Sequence, residues 1–99
     1  MFISIIIDLS TIDTEKDITR ILNEYGLKKI QRNLFESYDF LSKKLGNLKR
    51  DIAKCIDMDD KLRIYQYPLE NAFKISFVEN GKWKRLSIKW ALIIFVICF

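Results

Sequence analysis

The chain of 99 residues contains no histidine, and that absence removes a large share of known chemistry. Histidine-dependent triads, imidazole metal sites and imidazole acid–base pairs are all excluded. Any reaction must rest on carboxylates, hydroxyls, lysine, tyrosine or cysteine. Cysteine is scarce too: Cys55 and Cys98 match no zinc or redox spacing and sit among apolar neighbours, so both read as reduced packing residues of a cytoplasmic protein. The apolar start lacks a basic leading segment and a small-residue cleavage site, so it does not read as a signal peptide.

Proline and glycine are equally sparse, and each has a place. The one proline, Pro68, is expected to stop a strand. Of the three glycines, Gly26 stands where a helix should end, Gly46 interrupts a helical pattern, and Gly81 follows Asn80 in a hairpin signal. Seventeen Lys and Arg against thirteen Asp and Glu give a net charge of +4, a basic excess compatible with nucleic acid but not demanding it.

The residues that are present divide the chain into short elements. "MFISIIIDLS" sets Ile3, Ile5, Ile7 and Leu9 against Phe2, Ser4, Ile6 and Asp8, the period of a strand that ends in an acid. That acid either caps the following helix or loop or acts as a metal ligand at the sheet's edge. "LSTIDTEKDITRILNEYG" carries Ile12, Ile18, Ile21, Leu22 and Tyr25 at helical spacing, with Thr14 and Asp17 as a capping-box-like pair. "LKKIQRNLFES" predicts a kinked strand or two short arms.

A second helix is expected with Leu41, Leu45, Leu48, Ile52, Cys55 and Ile56 on one side, its first turns split off by Gly46. "DKLRIYQYP", "AFKISFVE" and "KWKRLSI" read as strands, the last two joined at Asn80-Gly81. This order predicts an α+β, ferredoxin-like βαββαβ sandwich over residues 1–79. Residues 80–99 would add a hairpin arm and an apolar tail. The final "WALIIFVICF" is ten apolar residues, short of the about 20 needed to cross a bilayer, so it reads as a buried strand and not a membrane span.

With helices on one face only, the face bearing Asp8 would be left for a second copy. Lys28, Lys29 and Arg32, with Lys16 and Arg20 on the preceding helix, are the candidates for phosphate contact, against the plainer reading of a solvated charged face. Trp83 among Lys82, Lys84, Arg85 and Lys89 reads as a half-buried hairpin residue more readily than as a base-stacking platform. Phe35, Tyr65 and Tyr67 read as core or interface aromatics.

Several of these blocks, taken together, resemble the CRISPR-associated protein 2 family: "IIIDLS", "ILNEYGLKKIQRNLFES", "LKRDIAKCID" and "DKLRIYQYPL", in order and across residues 1–79. The resemblance implies a ferredoxin-like protomer, a homodimer formed across the sheets with the arm and tail of residues 80–99 packed on the partner protomer, and a role with the CRISPR integrase in spacer acquisition. Members have been described both as Mg²⁺- or Mn²⁺-dependent endonucleases acting on RNA or DNA and as non-catalytic cores that hold duplex DNA. By resemblance, Asp8 takes the place of the catalytic, metal-binding acid, Lys29 that of the basic residue before the Ile-Gln pair, and Phe35 that of the second-strand aromatic. A two-fold axis would let both copies of Asp8 share one ion. The chain departs from the pattern at Ile7, where Tyr is frequent, at Asn33, where Ser is common, and at Glu15, Lys16 and Asp17, where some members have arginines. A second resemblance, to virulence-associated protein D ribonuclease toxins, covers only the early acid and the fold. An RNA-recognition module is disfavoured because its Gly-Phe-Gly-Phe-type strand motif is missing.

Overall fold

The computed structural model describes residues 1–67 and 72–89, with the side chains of 72, 73 and 87–89 left aside. The expected strand stop at Pro68 and the expected buried strand of residues 90–99 therefore lie outside the described residues.

Strand β1 (Phe2–Asp8) alternates as its sequence demands: Ile3, Ile5 and Ile7 are buried on one face, while Ile6 and Asp8 are exposed on the other. Helix α1 (Ile12–Glu24) starts from Thr11, whose backbone is extended and whose hydroxyl accepts the Thr14 N–H at 3.1 Å. The cap is thus Thr11 with Thr14, not Thr14 with Asp17, because Thr14 already lies inside the first turn. Its buried stripe is Thr14, Ile18, Ile21 and Leu22, while Ile12, the first helical residue, is exposed. Gly26 leaves the helix at φ +85°, a conformation open to glycine at little cost.

The stretch after it forms two short arms, β2 (Lys28–Gln31) and β3 (Leu34–Ser37), turned at Arg32-Asn33 with Asn33 at φ 66°. A 3-10 turn over Ser42–Lys44 then leads into helix α2 (Leu45–Ala53), so the segment before Gly46 is indeed distinct, and Leu41 stays exposed. Strands β4 (Lys61–Tyr67), β5 (Ala72–Glu79) and β6 (Lys82–Lys89) complete the described elements. The β5–β6 turn has positive φ at both Asn80 and Gly81, the backbone twist that a two-residue hairpin requires.

These elements build one six-stranded antiparallel sheet in the order β2-β3-β1-β4-β5-β6. Ile3, Ile5, Ile7, Phe35, Leu62, Ile64 and Val78 from the sheet form one core with Ile18, Leu22, Leu48 and Ile52 from the helices. Fully burying side chains of this size contributes about 1.5–3 kcal/mol each, before the entropy of ordering them is set against it. Both helices therefore cover the same face. Tyr25 ties them together, its hydroxyl donating to Asp51 Oδ2 at 2.6 Å; that bond, then burial, raises the Tyr25 pKa. The opposite face, carrying Asp8, has no helix on it among the described elements.

Candidate functional site

Asp8 is the last residue of β1, and the β1–β4 ladder sets it opposite Lys61, with Ile6 opposite Arg63. Because side chains two apart in a strand share a face, Asp8, Ile6, Lys61 and Arg63 all lie on the uncovered side. They line a shallow depression of about 200 Å³. Arg63 is steadied by Phe77, its guanidinium carbon 5.1 Å from the ring centroid. Among the described residues no hydrogen bond or salt bridge engages the Asp8 carboxylate, and it caps no helix there. The capping role weighed above for Asp8 belongs to Thr11.

The arrangement offers one carboxylate beside two cations. A carboxylate can hold a divalent cation or a cationic group, and the Lys61 and Arg63 side chains suit phosphate oxygens. The sequence alone assigns neither Lys61 nor Arg63 to the site, although Arg63 belongs to the block that carries the family resemblance. The signal was available in the pairing of a strand ending "IIID" with one beginning "KLRI", but only the antiparallel register turns it into a site.

Beyond Asp8 the chain is fastened by a residue that sequence reasoning also passed over. Asp60 is fully buried, at 0% exposure. Its Oδ1 accepts from Ser10 N at 2.7 Å and Ser10 Oγ at 2.8 Å, and its Oδ2 accepts from Asp57 N at 2.7 Å. Burial pushes the Asp60 carboxyl up, but the bonds from Asp57 and Ser10 outweigh it and leave the pKa below its ordinary value.

The five basic candidates do not form one patch. Lys16 and Arg20 on α1 and Lys29 on β2 meet along a groove of about 800 Å³, shared with Glu15 and Glu24. Arg20 is engaged there by Glu24 at 3.1 Å, an exposed i,i+4 pair of small energetic worth. Lys28 lies on the other face of β2, beside Glu36 and Asp39, and Arg32 sits in the β2–β3 turn. Strand alternation divides the two neighbouring lysines.

Of the aromatic residues, Phe35 and Trp83 fall as expected, while Tyr65 and Tyr67 lie outside the core. Phe35 is in the core, and Trp83 is half-buried against it. Lys49 Nζ stands 5.4 Å from the Trp83 ring centroid and donates to Ser76 Oγ at 2.8 Å. Burial, and then the nearby Arg85, lowers the Lys49 pKa. Trp83 Nε1 is buried and meets no hydrogen-bond partner among the described residues. On the uncovered face, Phe2 packs its ring near both Tyr38 and Tyr67, at 5.0 and 4.9 Å between centroids. Ile6, Tyr67 and Leu86 remain 44%, 40% and 48% exposed there. Cys55 is a free, half-buried thiol, and Cys98 lies outside the described residues.

Among the described residues there is no group of three or more Cys, Asp or Glu side chains able to cage a metal ion, and no helix long and apolar enough to cross a membrane. Mg²⁺ does not require a full protein cage, because it keeps several waters and commonly takes one or two carboxylates plus substrate phosphates. The unengaged carboxylate of Asp8 fits that minimal donor set when a second copy contributes its own Asp8. Comparison of the chain with protein-family models, curated proteins and solved structures gave no match.

Proposed function

We propose that the chain is a member of the CRISPR-associated protein 2 family that works in spacer acquisition. In this reading a ferredoxin-like protomer pairs through its uncovered sheet face with a second copy and binds duplex DNA as the core of the integrase complex. The observation that carries the reading is the position of Asp8 at the end of a central strand, unengaged among the described residues and on the face that no described helix covers. The strand order adds support, since β2-β3-β1-β4 is the order of a ferredoxin-like sheet, extended here by the β5–β6 hairpin. The exposed Ile6, Tyr67 and Leu86 on the same face give a second copy apolar surface to cover.

The two copies of Asp8 would hold one Mg²⁺ or Mn²⁺ ion between them. The chemistry such an ion supplies is activation of a water and neutralisation of charge on a phosphodiester. The chain's own residues would orient that phosphodiester: Lys61 and Arg63 flank the carboxylate and hold non-bridging oxygens, and Ile6 lines the same depression beside them. In a dimer each copy brings both cations, which offsets the repulsion between two facing acids.

A second reading, favoured by the Lys61 side chain directly across from Asp8, is a non-catalytic DNA-holding subunit in which the ammonium takes the ion's place. Cleavage of single-stranded RNA and of duplex DNA by purified protein, with Mg²⁺, with Mn²⁺ and with chelator, separates the two. Metal-dependent cleavage that disappears in Asp8→Ala supports the catalytic form. Cleavage that survives the substitution takes Asp8 out of the chemistry, while duplex binding without cleavage in any metal leaves the structural form.

A further inference from the structure

Three side-chain groups outside the Asp8 depression stand apart: the Lys49–Ser76–Trp83 contact, the Tyr25–Asp51 tie and the enclosed Asp60. Asp60 carries the argument furthest, because its bonds end beside the residue on which the proposed chemistry depends. We propose that Asp60 is a positioning residue for the Asp8 site, clasping the loop that leaves β1 to the turn that enters β4 and so fixing the last ladder pair, Asp8 with Lys61. The inference rests on the reading of Asp8 given above.

The placement is specific. Ser10 lies two residues beyond Asp8, and Asp60 immediately precedes Lys61, the cross-strand partner of Asp8. The clasp therefore closes just past the end of the ladder, where a strand pair would otherwise fray. One step inward, Ile7 and Leu62 are already held in the core. The pair that gains from an added tether is the outermost one, and its side chains are both exposed.

The chemistry of the clasp calls for a carboxylate. Its two oxygens face two different loops, Oδ1 taking both donors of Ser10 and Oδ2 taking the Asp57 N–H. A backbone bond from Asp60 N to Asp57 O at 3.1 Å closes the same turn from the other side. An asparagine could keep an acceptor toward Ser10, but its amide nitrogen would then meet the Asp57 N–H donor to donor. No salt bridge to Asp60 occurs among the described residues, so the buried charge is balanced by N–H and O–H dipoles alone. Removing that arrangement should loosen the direction of the Asp8 carboxylate while leaving the core packed.

The test is Mn²⁺ titration followed by electron paramagnetic resonance on the full chain, with urea unfolding of each variant to establish that it is folded. Wild type should bind Mn²⁺, and Asp8→Ala should lose it. Asp60→Asn and Ser10→Ala should bind about 10- to 100-fold more weakly, the range seen when groups that orient a metal ligand are removed. Ser10→Thr, which keeps the hydroxyl, should restore binding. Wild-type affinity in folded Asp60→Asn would overturn the inference; should that variant not fold, wild-type affinity in Ser10→Ala would do the same. Absence of binding in wild type, or binding indifferent to Asp8→Ala, would instead overturn the reading of Asp8 and the inference with it.

Discussion

Duplex DNA binding should be steeply salt-dependent, and the slope should be carried by the α1–β2 groove. Lys16, Arg20 and Lys29 line it together, but Arg20 is already held by Glu24, which leaves Lys16 and Lys29 as the cations available to phosphate. Replacing both by Gln removes two charges without removing their polarity. If each meets one phosphate, the slope of log K against log salt falls by about 1.8 per groove engaged, from about 0.9 per contact. Between about 50 and 200 mM salt, a fourfold change, the affinity gap between wild type and the double variant should then narrow about 12-fold. Fluorescence anisotropy of a labelled duplex across that range measures it directly. The paired control is Lys28→Gln with Arg32→Gln, which changes the same net charge on the far side of β2 and in the turn. The reasoning is refuted if the Lys16/Lys29 variant keeps the wild-type slope while the Lys28/Arg32 variant loses it.

Two further expectations concern stability. The hydrogen bonds to Asp60 outweigh its burial and hold its folded pKa below the unfolded value, so the stability it contributes is present above the ordinary carboxylate pKa, about 3.9, and is lost as pH falls through the depressed folded value. Urea unfolding at descending pH should show this loss in wild type and a flatter profile in Asp60→Asn; identical profiles would remove Asp60 from the account. The glycines should respond with opposite signs. Gly81→Ala places a side chain at φ +73° and a Cβ 3.3 Å from Met58 Sδ, and should cost about 1–2 kcal/mol, since the exposed Met58 thioether can yield. Gly46→Ala, in α2 with no atom within 4 Å of the added carbon, should stabilise by about 0.5–1 kcal/mol. Matched urea melts in which both substitutions move stability in the same direction would contradict this.

Local pattern carried much of the architecture. The alternation of "FISIIID" placed Ile3, Ile5 and Ile7 in the core and Asp8 outside, the Asn80-Gly81 pair marked its hairpin, and the Arg32-Asn33 turn decided for two short arms where the sequence leaves a kinked strand equally open. What was hidden depends on neighbours distant in sequence. Asp60 stands in "DMDDKL", where three acids close together look like an ordinary solvated turn; only the approach of Ser10, fifty positions earlier, buries the third. Lys28 and Lys29 read as one basic run, yet the pleat of β2 sends them to opposite faces. Lys61 and Arg63 gained meaning only from the register that sets them against Asp8 and Ile6.

The central claim is that two copies of Asp8 meet across the uncovered sheet face. The most direct test replaces Cys55 and Cys98 by Ser, introduces Asp8→Cys, and treats the protein with a short bifunctional maleimide. The account predicts a covalent dimer formed through position 8, and little crosslinking of a Lys43→Cys control placed in the exposed turn before α2. A chain that stays monomeric after treatment at position 8, while free thiol titration shows that the cysteine has reacted, would contradict it.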